Sequence, residues 1–369
     1  MKKPLFALLI PNLSVGGIQR VILNLGISLQ RKGAEVHLLL IKGEGELLKE
    51  VPDSIKVINF NLTSIFRLPP RLIRYLKKYR PTALLSTHPN MNLAVSLSKK
   101  VSGVNSRIVV SEHNDPLSAS KFRKSKRRFS AAPFLKKLIY PWADAIVGIS
   151  EGVADGIAKS AGIPRDRIQV IYNPIVSDRI RNLAKEKLTW PKGEEEERVK
   201  LVAVGRLGPQ KDFSTLLEAL NVFRKRMPAQ LVILGEGEQR KRLEAEIRNQ
   251  GLEGIVHLLG YVQNPYAYMS GADIFVSSSL WEGLPTVHVE ALACGCQVVS
   301  TDCPSGPSEI LAGGRYGRLV PVKDPQALAD AIEQTVENPL PKDVLRKRAE
   351  YFSVERSVEQ YWRVLIGEV

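Results

Sequence analysis

The chain has 369 residues, 44% apolar and 25% charged, and this composition excludes a disordered, collagen-like or coiled-coil protein. The longest apolar run, residues 5–10, is far shorter than the roughly 20 residues of a membrane-spanning helix. Pro11 follows it without a cleavage pattern, so we expect a first strand there instead of a signal peptide. The net charge of +15 is uneven: residues 1–180 hold 29 Lys and Arg against 12 Asp and Glu, and the remainder holds 24 against 26.

Apolar, β-branched runs alternate with segments of helical periodicity along the whole chain, which is the pattern of parallel sheets in α/β proteins. In the first half the pattern predicts strands at 5–10, 36–41, 83–86, 107–110 and 145–149. In the second half it predicts strands at 200–204, 230–234, 256–258, 274–277, 297–300 and 317–320. Residues 172–197 have the composition of a linker. We therefore predict two doubly wound domains, 1–178 and 179–345, followed by a terminal helix within 346–369.

Two basic segments lie in the first half. The segment 66–80 places apolar residues at helical spacing beside four cations, Arg71, Arg74, Lys77 and Lys78. The segment 121–137 has eight basic residues and no acid, with the densest charge at Lys121, Arg123, Lys124, Lys126, Arg127 and Arg128. Basic amphipathic segments bind anionic membrane surfaces, and a solvated helix face is the alternative for either one. No nucleic-acid-binding motif accompanies the charge, so we expect no nucleic-acid partner.

Two loops after predicted strands carry residues suited to phosphate. Gly16 and Gly17 follow the first strand and precede a helical segment, where backbone amides can approach a phosphate, although a tight turn explains the pair equally well. After the strand at 200–204, Arg206 and Lys211 place two cations where a diphosphate can bind. The alternative is a surface arginine and a lysine that flanks a helix.

The segment 277–295 is the richest in candidate residues. Glu282 and Glu290 flank a predicted helix start at 283–285, and a helical rise over eight residues sets their carboxylates about 12 Å apart. That exceeds the roughly 5 to 9.5 Å between paired glycosidase carboxylates, so the two cannot act on one bond. They can hold two ends of one extended ligand; a capping acid and an ordinary helix glutamate are the alternative. The three cysteines, Cys294, Cys296 and Cys303, are interpreted as buried packing residues of a protein in a reducing compartment.

Taken together, the two glycines, the GR-x4-K spacing of Arg206 and Lys211, and the E-x7-E spacing of Glu282 and Glu290 resemble retaining glycosyltransferases of GT-B fold, family four. The string 301–310 resembles the bacterial branch that elongates lipid-linked oligosaccharides and surface polysaccharides. The resemblance implies two Rossmann-like domains facing across a cleft, with the acceptor bound by the first and a nucleotide sugar by the second. It also implies that the terminal helix packs back toward the first domain.

The resemblance further implies roles for individual residues. Arg206 and Lys211 would neutralise the donor diphosphate, Glu290 would bind the ribose hydroxyls, and the backbone near Val262 would face the base. Glu282 and the amides of 283–286 would hold the transferred sugar and its phosphate. His113, after the strand at 107–110, would lie by the donor sugar. The implied donor-binding residues are Gly16, Gly17, Val262, Gly283, Leu284, Pro285, Thr286 and Glu290, and the implied catalytic residues are His113, Arg206, Lys211 and Glu282.

The implied activity is hexosyl transfer (EC 2.4) from a nucleotide-diphosphate sugar, UDP-linked, to a polyprenyl-diphosphate-linked saccharide. No Asp-x-Asp occurs in the sequence, so we expect neither a metal nor another cofactor. We expect an anionic membrane surface as a partner and a peripheral location on the cytoplasmic face of the cell membrane. A sugar-nucleotide epimerase of the same fold and a noncatalytic basic binding protein are the alternatives, since fold alone does not fix chemistry.

Overall fold

The computed structural model describes residues 3–14, 16–114, 132–191 and 198–368. It divides into two compact units, one formed by residues 1–174 and 354–369 and the other by residues 175–353. The boundaries expected from the sequence lie after residues 178 and 345.

The first unit is built on a parallel sheet of seven strands. These are β1 (Leu5–Ile10), β2 (Glu35–Leu40), β3 (Lys56–Asn59), β4 (Ala83–Ser86), β5 (Arg107–Glu112), β6 (Ala145–Gly148) and β7 (Ile168–Val170). Their spatial order is β3-β2-β1-β4-β5-β6-β7. In this register Phe6 of β1 lies between Val36 of β2 and Ala83 of β4. The central strands are buried along their length, as expected where helices cover both faces of a parallel sheet.

Helices of the first unit cover this sheet: α1 (Gly17–Arg31), α2 (Leu68–Tyr79), α3 (Pro89–Ser102), α4 (Ala132–Ile139) and α5 (Glu151–Ala161). Local sequence sets the ends of α5, because the Ser150 side chain accepts a hydrogen bond from the Val153 amide and Gly162 adopts a left-handed conformation after the last turn. The C-terminal helix, Val354–Ile366, belongs to this unit. Its Tyr361 and Leu365 side chains share one buried cluster with Ile22 and Leu25 of α1.

The second unit is built on a parallel sheet of six strands: β8 (Val199–Val204), β9 (Ala229–Leu234), β10 (Val256–Gly260), β11 (Ile274–Ser277), β12 (Gln297–Thr301) and β13 (Arg318–Val320). Their order is β10-β9-β8-β11-β12-β13. The helices are α6 (Asp178–Leu183), α7 (Phe213–Phe223), α8 (Arg240–Asn249), α9 (Pro265–Gly271), α10 (Thr286–Cys294), α11 (Pro307–Ile310), α12 (Pro325–Glu337) and α13 (Lys342–Ala349). In both sheets the order in which strands are added reverses beside the central strand, so the loops after two neighbouring strands lead to opposite sides of the sheet. Ligands bind at this position in such folds.

The predicted α/β class and every strand predicted from the sequence are confirmed. Strands β3 and β7, both at edges of the first sheet, were not predicted from the sequence. Both are short and contain polar residues, and β3 is largely exposed, so neither carries a continuous apolar run. The three cysteines are buried and unpaired, as predicted. Within the described ranges no helix is long and apolar enough to cross a bilayer.

Candidate active site

The carboxyl ends of three strands in the second unit are joined by glycine backbone. The amide of Gly205, after β8, donates to the Leu234 carbonyl at 2.9 Å, and the Gly235 amide, after β9, donates to the Gly260 carbonyl at 2.8 Å. Gly235 has a φ of +143°, and a Cβ there would lie 2.0 Å from the Gly205 carbonyl oxygen. Only glycine fits this position, so it is required for the close backbone contact with the loop that carries Arg206 and Lys211.

Lys211 and Glu282 form a largely buried ion pair at this edge. The Lys211 Nζ atom lies 2.6 Å from Glu282 Oε1, and their side chains are only 17% and 8% exposed. The Gln210 side-chain amide donates to the Trp281 carbonyl at 2.7 Å and to Glu282 Oε2 at 3.3 Å. Taking two charges out of water is costly, so this pair is weak evidence for stability. It lies at the carboxyl edge of the sheet, where ligands bind in such folds.

Arg206 has a different partner. Its side chain is 78% exposed and lies 3.1 Å from Glu238. An exposed ion pair contributes about 0 to 1 kcal/mol, so a bound anion can replace it at little cost. The structure therefore does not bring Arg206 into the Lys211–Glu282 pair.

Helix α10 starts without a side-chain cap. Pro285 occupies the N-cap position, its side chain makes no capping hydrogen bond, and the first turn has no acidic residue. The first amides of a helix have no intrahelical acceptor and form its positive end, so Thr286 and Val287 can donate to an anion. Leu284 is buried, so this segment offers a ligand its backbone.

The separation of Glu282 from Glu290 was predicted from a helical rise that does not apply to the whole segment. The helix begins at Thr286, four residues after Glu282, so a helical rise does not apply over all eight positions. Glu282 lies in the preceding loop, while Glu290 lies half-buried in α10. Val262 is half-buried in the loop after β10.

The string 301–306 packs directly on this loop, which its sequence did not reveal. The Glu282 amide donates to the Pro304 carbonyl at 3.4 Å. Gly306 has a φ of +90°, and a Cβ there would lie 2.5 Å from Pro285 Cδ and 2.8 Å from the Gly283 carbonyl oxygen. The Ser305-Gly306-Pro307 turn signal was the available hint.

In the first unit, His113 follows β5 and is 5% exposed. Burial, with a smaller contribution from His88, lowers the pKa of His113 to about 4, so its ring is neutral at pH 7. The ring Nε2 atom lies 3.3 Å from Ser111 Oγ, and Nδ1 has no hydrogen-bond partner among the described residues. A neutral imidazole with a free nitrogen can accept or donate one hydrogen bond to a ligand.

A buried polar cluster that was not predicted from the sequence lies directly beside His113. The Lys136 ammonium donates to Glu112 at 2.5 Å, and the Tyr140 hydroxyl donates to the same carboxylate. Asn92 donates to the Ser111 carbonyl at 2.9 Å. Burial, followed by the charge of Glu112, raises the pKa of Tyr140. These four side chains come from β5, α3, α4 and the turn after α4, so no local spacing could signal them.

Gly16 and Gly17 mark the start of α1. Gly16 is the N-cap in an extended conformation, and Gly17 is the first helical residue. The loop before them is held by Gly45, because the Leu13 amide donates to the Glu44 carbonyl at 2.9 Å and a Cβ on Gly45 would lie 2.0 Å from the Leu13 backbone. This role of Gly45 was not predicted from the sequence.

The structure corrects the expectation for the apolar face of the segment 66–80. Helix α2 forms as predicted, but Leu72, Tyr75 and Leu76 are buried within the first unit and are not available to a membrane. Phe66, just before α2, is 89% exposed. The cations of α2 are exposed: Arg71, Arg74, Lys77 and Lys78.

In the second basic segment, Lys136 is buried in an ion pair with Glu112 and is not available to bind a membrane surface. The other predicted contacts of that segment lie outside the described residues: Lys121, Arg123, Lys124, Lys126, Arg127 and Arg128.

Comparison with known proteins gives consistent results for both halves. Residues 15–179 match the model described as Glycosyltransferase Family 4, and residues 184–352 match the one described as Glycosyl transferases group 1. A Campylobacter jejuni protein named N-acetylgalactosamine-N,N'-diacetylbacillosaminyl-diphospho-undecaprenol 4-alpha-N-acetylgalactosaminyltransferase is 29% identical, over 91% of this chain and 90% of its own.

A second Campylobacter jejuni protein, named as an alpha-1,4-N-acetyl-D-galactosaminyltransferase of a diNAcBac-PP-undecaprenol saccharide, is 25% identical over 98% of both chains. Among solved structures, Anabaena HepE in complex with UDP and glucose superposes with a TM-score of 0.76, at 18% identity, over 99% of this chain and 100% of that one. The predicted GT-B fold is confirmed.

Proposed function

Because this chain belongs to the family-four glycosyltransferases, we propose that it transfers a sugar from a UDP-sugar to a polyprenyl-diphosphate-linked saccharide and that it retains the anomeric configuration. The observation that carries the donor half of this proposal is the largely buried Lys211–Glu282 pair, in which Glu282 lies four residues before the uncapped start of α10. A cation, a carboxylate and free amides at one edge of the sheet suit a sugar joined to a diphosphate.

The same groups explain how transfer is accelerated. As the bond between sugar and phosphate breaks, the diphosphate gains negative charge, and the Lys211 ammonium and the α10 amides stabilise that charge more strongly than they stabilise the ground state. Arg206 exchanges Glu238 for the diphosphate. The Glu282 carboxylate binds sugar hydroxyls and keeps Lys211 in place before the donor arrives.

Retention follows from the path of the proton. The leaving phosphate oxygen accepts the proton of the incoming acceptor hydroxyl on the face from which the phosphate departs. The new glycosidic bond then forms on that same face. His113 is neutral, and its Nδ1 atom has no hydrogen-bond partner among the residues that the structure describes, so we assign it a hydrogen bond to a hydroxyl of the donor sugar.

The acceptor half rests on the relatives and on charge. Both Campylobacter relatives are named for undecaprenyl-linked saccharides. The excess of cations lies in residues 1–180, and the exposed cations of α2 belong to the unit proposed to take the acceptor. We place the enzyme at the cytoplasmic face of the membrane, where such cations bind anionic lipid.

The test is a matrix of donors and acceptors. Purified protein is mixed with UDP-, GDP- or ADP-linked hexoses and N-acetylhexosamines, with and without polyprenyl-diphosphate-linked saccharides, and release of nucleoside diphosphate is measured together with the product. We expect release that needs both a UDP-sugar and the lipid-linked acceptor, an α-linked product from an α-linked donor, and equal rates with and without EDTA.

Three outcomes would overturn parts of the proposal. An epimerised sugar nucleotide formed without acceptor would identify an epimerase. A product of inverted configuration would exclude the phosphate-based mechanism. Loss of activity in EDTA that is restored by a divalent metal would show that Lys211 and the helix amides do not suffice.

A further inference from the structure

His288 in α10 is a buried polar residue that the proposed donor contacts do not use. Its side chain is 0% exposed, and its ring packs edge-on against Phe275 of β11 with centroids 5.3 Å apart. Its Nε2 atom lies 2.8 Å from Ser300 Oγ at the end of β12. An apolar side chain would fill this space between helix and sheet without burying a polar ring.

The direction of these hydrogen bonds is determined by the single hydroxyl proton of Ser300. The Ser300 hydroxyl donates to the Thr301 carbonyl at 2.9 Å, so its oxygen accepts from Nε2–H of His288. Burial, with a smaller effect of the Lys211 charge, lowers the pKa of His288 to about 3, which keeps the ring neutral. Its Nδ1 lone pair then has no donor among the described residues. Leaving a buried acceptor unpaired is unfavourable, so packing alone does not account for a histidine here.

Beyond Ser300, further hydrogen bonds lead to the backbone of the loops that carry Glu282 and Lys211. The Thr301 hydroxyl donates to the Ser279 carbonyl at 2.6 Å, and the Ser278 hydroxyl donates to the Lys211 carbonyl at 2.8 Å. The Leu280 amide donates to the Gln210 carbonyl at 2.8 Å. These bonds tie the end of β12 to the loop after β11, and that loop to the loop that carries Lys211.

We propose that His288 is a positioning residue: its Nε2–H fixes Ser300 and Thr301, and through them the loop 278–282 that aligns Glu282 with Lys211. It touches neither donor nor acceptor. The inference rests on the proposed function, since it assumes that the Lys211–Glu282 pair takes part in transfer.

The test compares three side chains at this position. His288→Leu keeps a comparable volume and removes the donor, and we expect kcat to fall about 10-fold with KM for the UDP-sugar changed less than about 2-fold, because misplaced groups cost rate. His288→Gln places an N–H near the position of Nε2 and restores kcat to within about 2-fold of wild type. Ser300→Ala breaks the same link from the other side and, combined with His288→Leu, lowers kcat no further.

Amide hydrogen exchange supplies a readout that needs no substrate. Residues 278–282 exchange faster in His288→Leu and Ser300→Ala than in wild type or His288→Gln. Val289→Ala is the matched control, because Val289 is the next residue of α10, is fully buried and has no place in this hydrogen-bond chain. It lowers the melting temperature but leaves kcat and the exchange of 278–282 unchanged.

Equal kcat and exchange in His288→Leu and His288→Gln, or equal losses in Val289→Ala, would show that His288 only fills the core. The proposed function fails separately: if Lys211→Ala keeps wild-type transfer, the donor site is wrong. If Lys211→Ala abolishes transfer while His288→Leu keeps wild-type kcat, only the positioning role is wrong.

Discussion

At the scale of single residues, Lys211 and Glu282 carry the sharpest prediction. Glu282→Gln keeps the shape of the side chain and removes its charge, so Lys211 loses its carboxylate partner and its position in the site. We expect kcat to fall about 10² to 10³-fold, the range for loss of one preorganised electrostatic contact. Steady-state kinetics with the active donor and lipid-linked acceptor measures this, and calorimetry with UDP should show an affinity within a few-fold of wild type.

Arg242→Gln is the control for that prediction. This substitution removes an ion pair in the same unit. The Arg242 Nε atom lies 2.7 Å from Glu246, but the Arg242 side chain is exposed. Such a pair contributes about 0.3 to 0.5 kcal/mol to stability, so kcat should not change. Wild-type kcat in Glu282→Gln would exclude the pair from the reaction.

Lys211 and Glu282 were both predicted from the sequence as catalytic residues, but the contact between them was not predicted. Lys211 and Glu282 were recognised from separate motifs and were assigned to different parts of the donor, whereas 71 positions along the chain separate two groups that touch. No sequence pattern indicates a role for Gln210 or His288, because their contacts form only when β8, β11 and β12 lie side by side. The cluster of Glu112, Lys136 and Tyr140 was missed because Glu112 lies 24 and 28 positions along the chain from its two partners.

At the scale of elements, α2 shows what periodicity can and cannot predict. Helical spacing predicted the helix and its two faces correctly. It did not reveal that the apolar face is already covered within the first unit, where the Tyr75 hydroxyl lies 2.9 Å from His37 Nδ1. The face available to a partner is therefore the cationic one, and any membrane binding through α2 is electrostatic.

This predicts strongly salt-dependent binding to anionic vesicles. Replacing Arg71, Arg74, Lys77 and Lys78 by Ser should weaken binding to vesicles containing 30% phosphatidylglycerol by at least about 10-fold, since each cation near such a surface contributes about 1 kcal/mol. Binding of the wild type should fall as salt rises, because exposed charges are screened within about 8 Å at physiological ionic strength. Vesicle flotation measures both effects.

The matched control changes the net charge equally in the second unit, at four exposed lysines, Lys185, Lys187, Lys225 and Lys241. These Ser substitutions should leave vesicle binding within about 2-fold, because net charge alone does not direct a particular face to the membrane. Equal losses in the two variants would assign the effect to net charge and remove α2 from the membrane interface.

At the scale of the whole molecule, alternation of strand and helix was enough to predict the architecture, because apolar runs of four to six residues mark buried parallel strands. The edge strands β3 and β7 lacked that signal, and the return of the C-terminal helix to the first unit depends on burial of Val358, Tyr361 and Leu365 beside α1. Periodicity showed that this helix has an apolar side. It could not identify the unit that covers it.

All five histidines of the chain share a property that acts on the molecule as a whole: the surrounding protein lowers the pKa of His37, His88, His113, His257 and His288. Below pH 6.5 the unfolded chain takes up protons that the folded chain does not. The stability that depends on neutral histidines is therefore fully present above pH 6.5 and is lost as the pH falls from 6.5 toward 4 for His113 and toward 3 for His288.

Between pH 7.5 and 5.5, His113 should remove about 1.4 kcal/mol from the unfolding free energy of the first unit, and His288 should remove about as much from the second. The other three histidines act in the same direction. Urea unfolding at the two pH values, followed by amide exchange so that the units are resolved, measures the change. The carboxylates with lowered pKa values, Glu238, Asp330 and Glu359, lose their protons below this window and do not contribute. His288→Leu should reduce the pH dependence of the second unit alone; unchanged stability of both wild-type units at pH 5.5 would contradict the assignment of neutral, buried imidazoles.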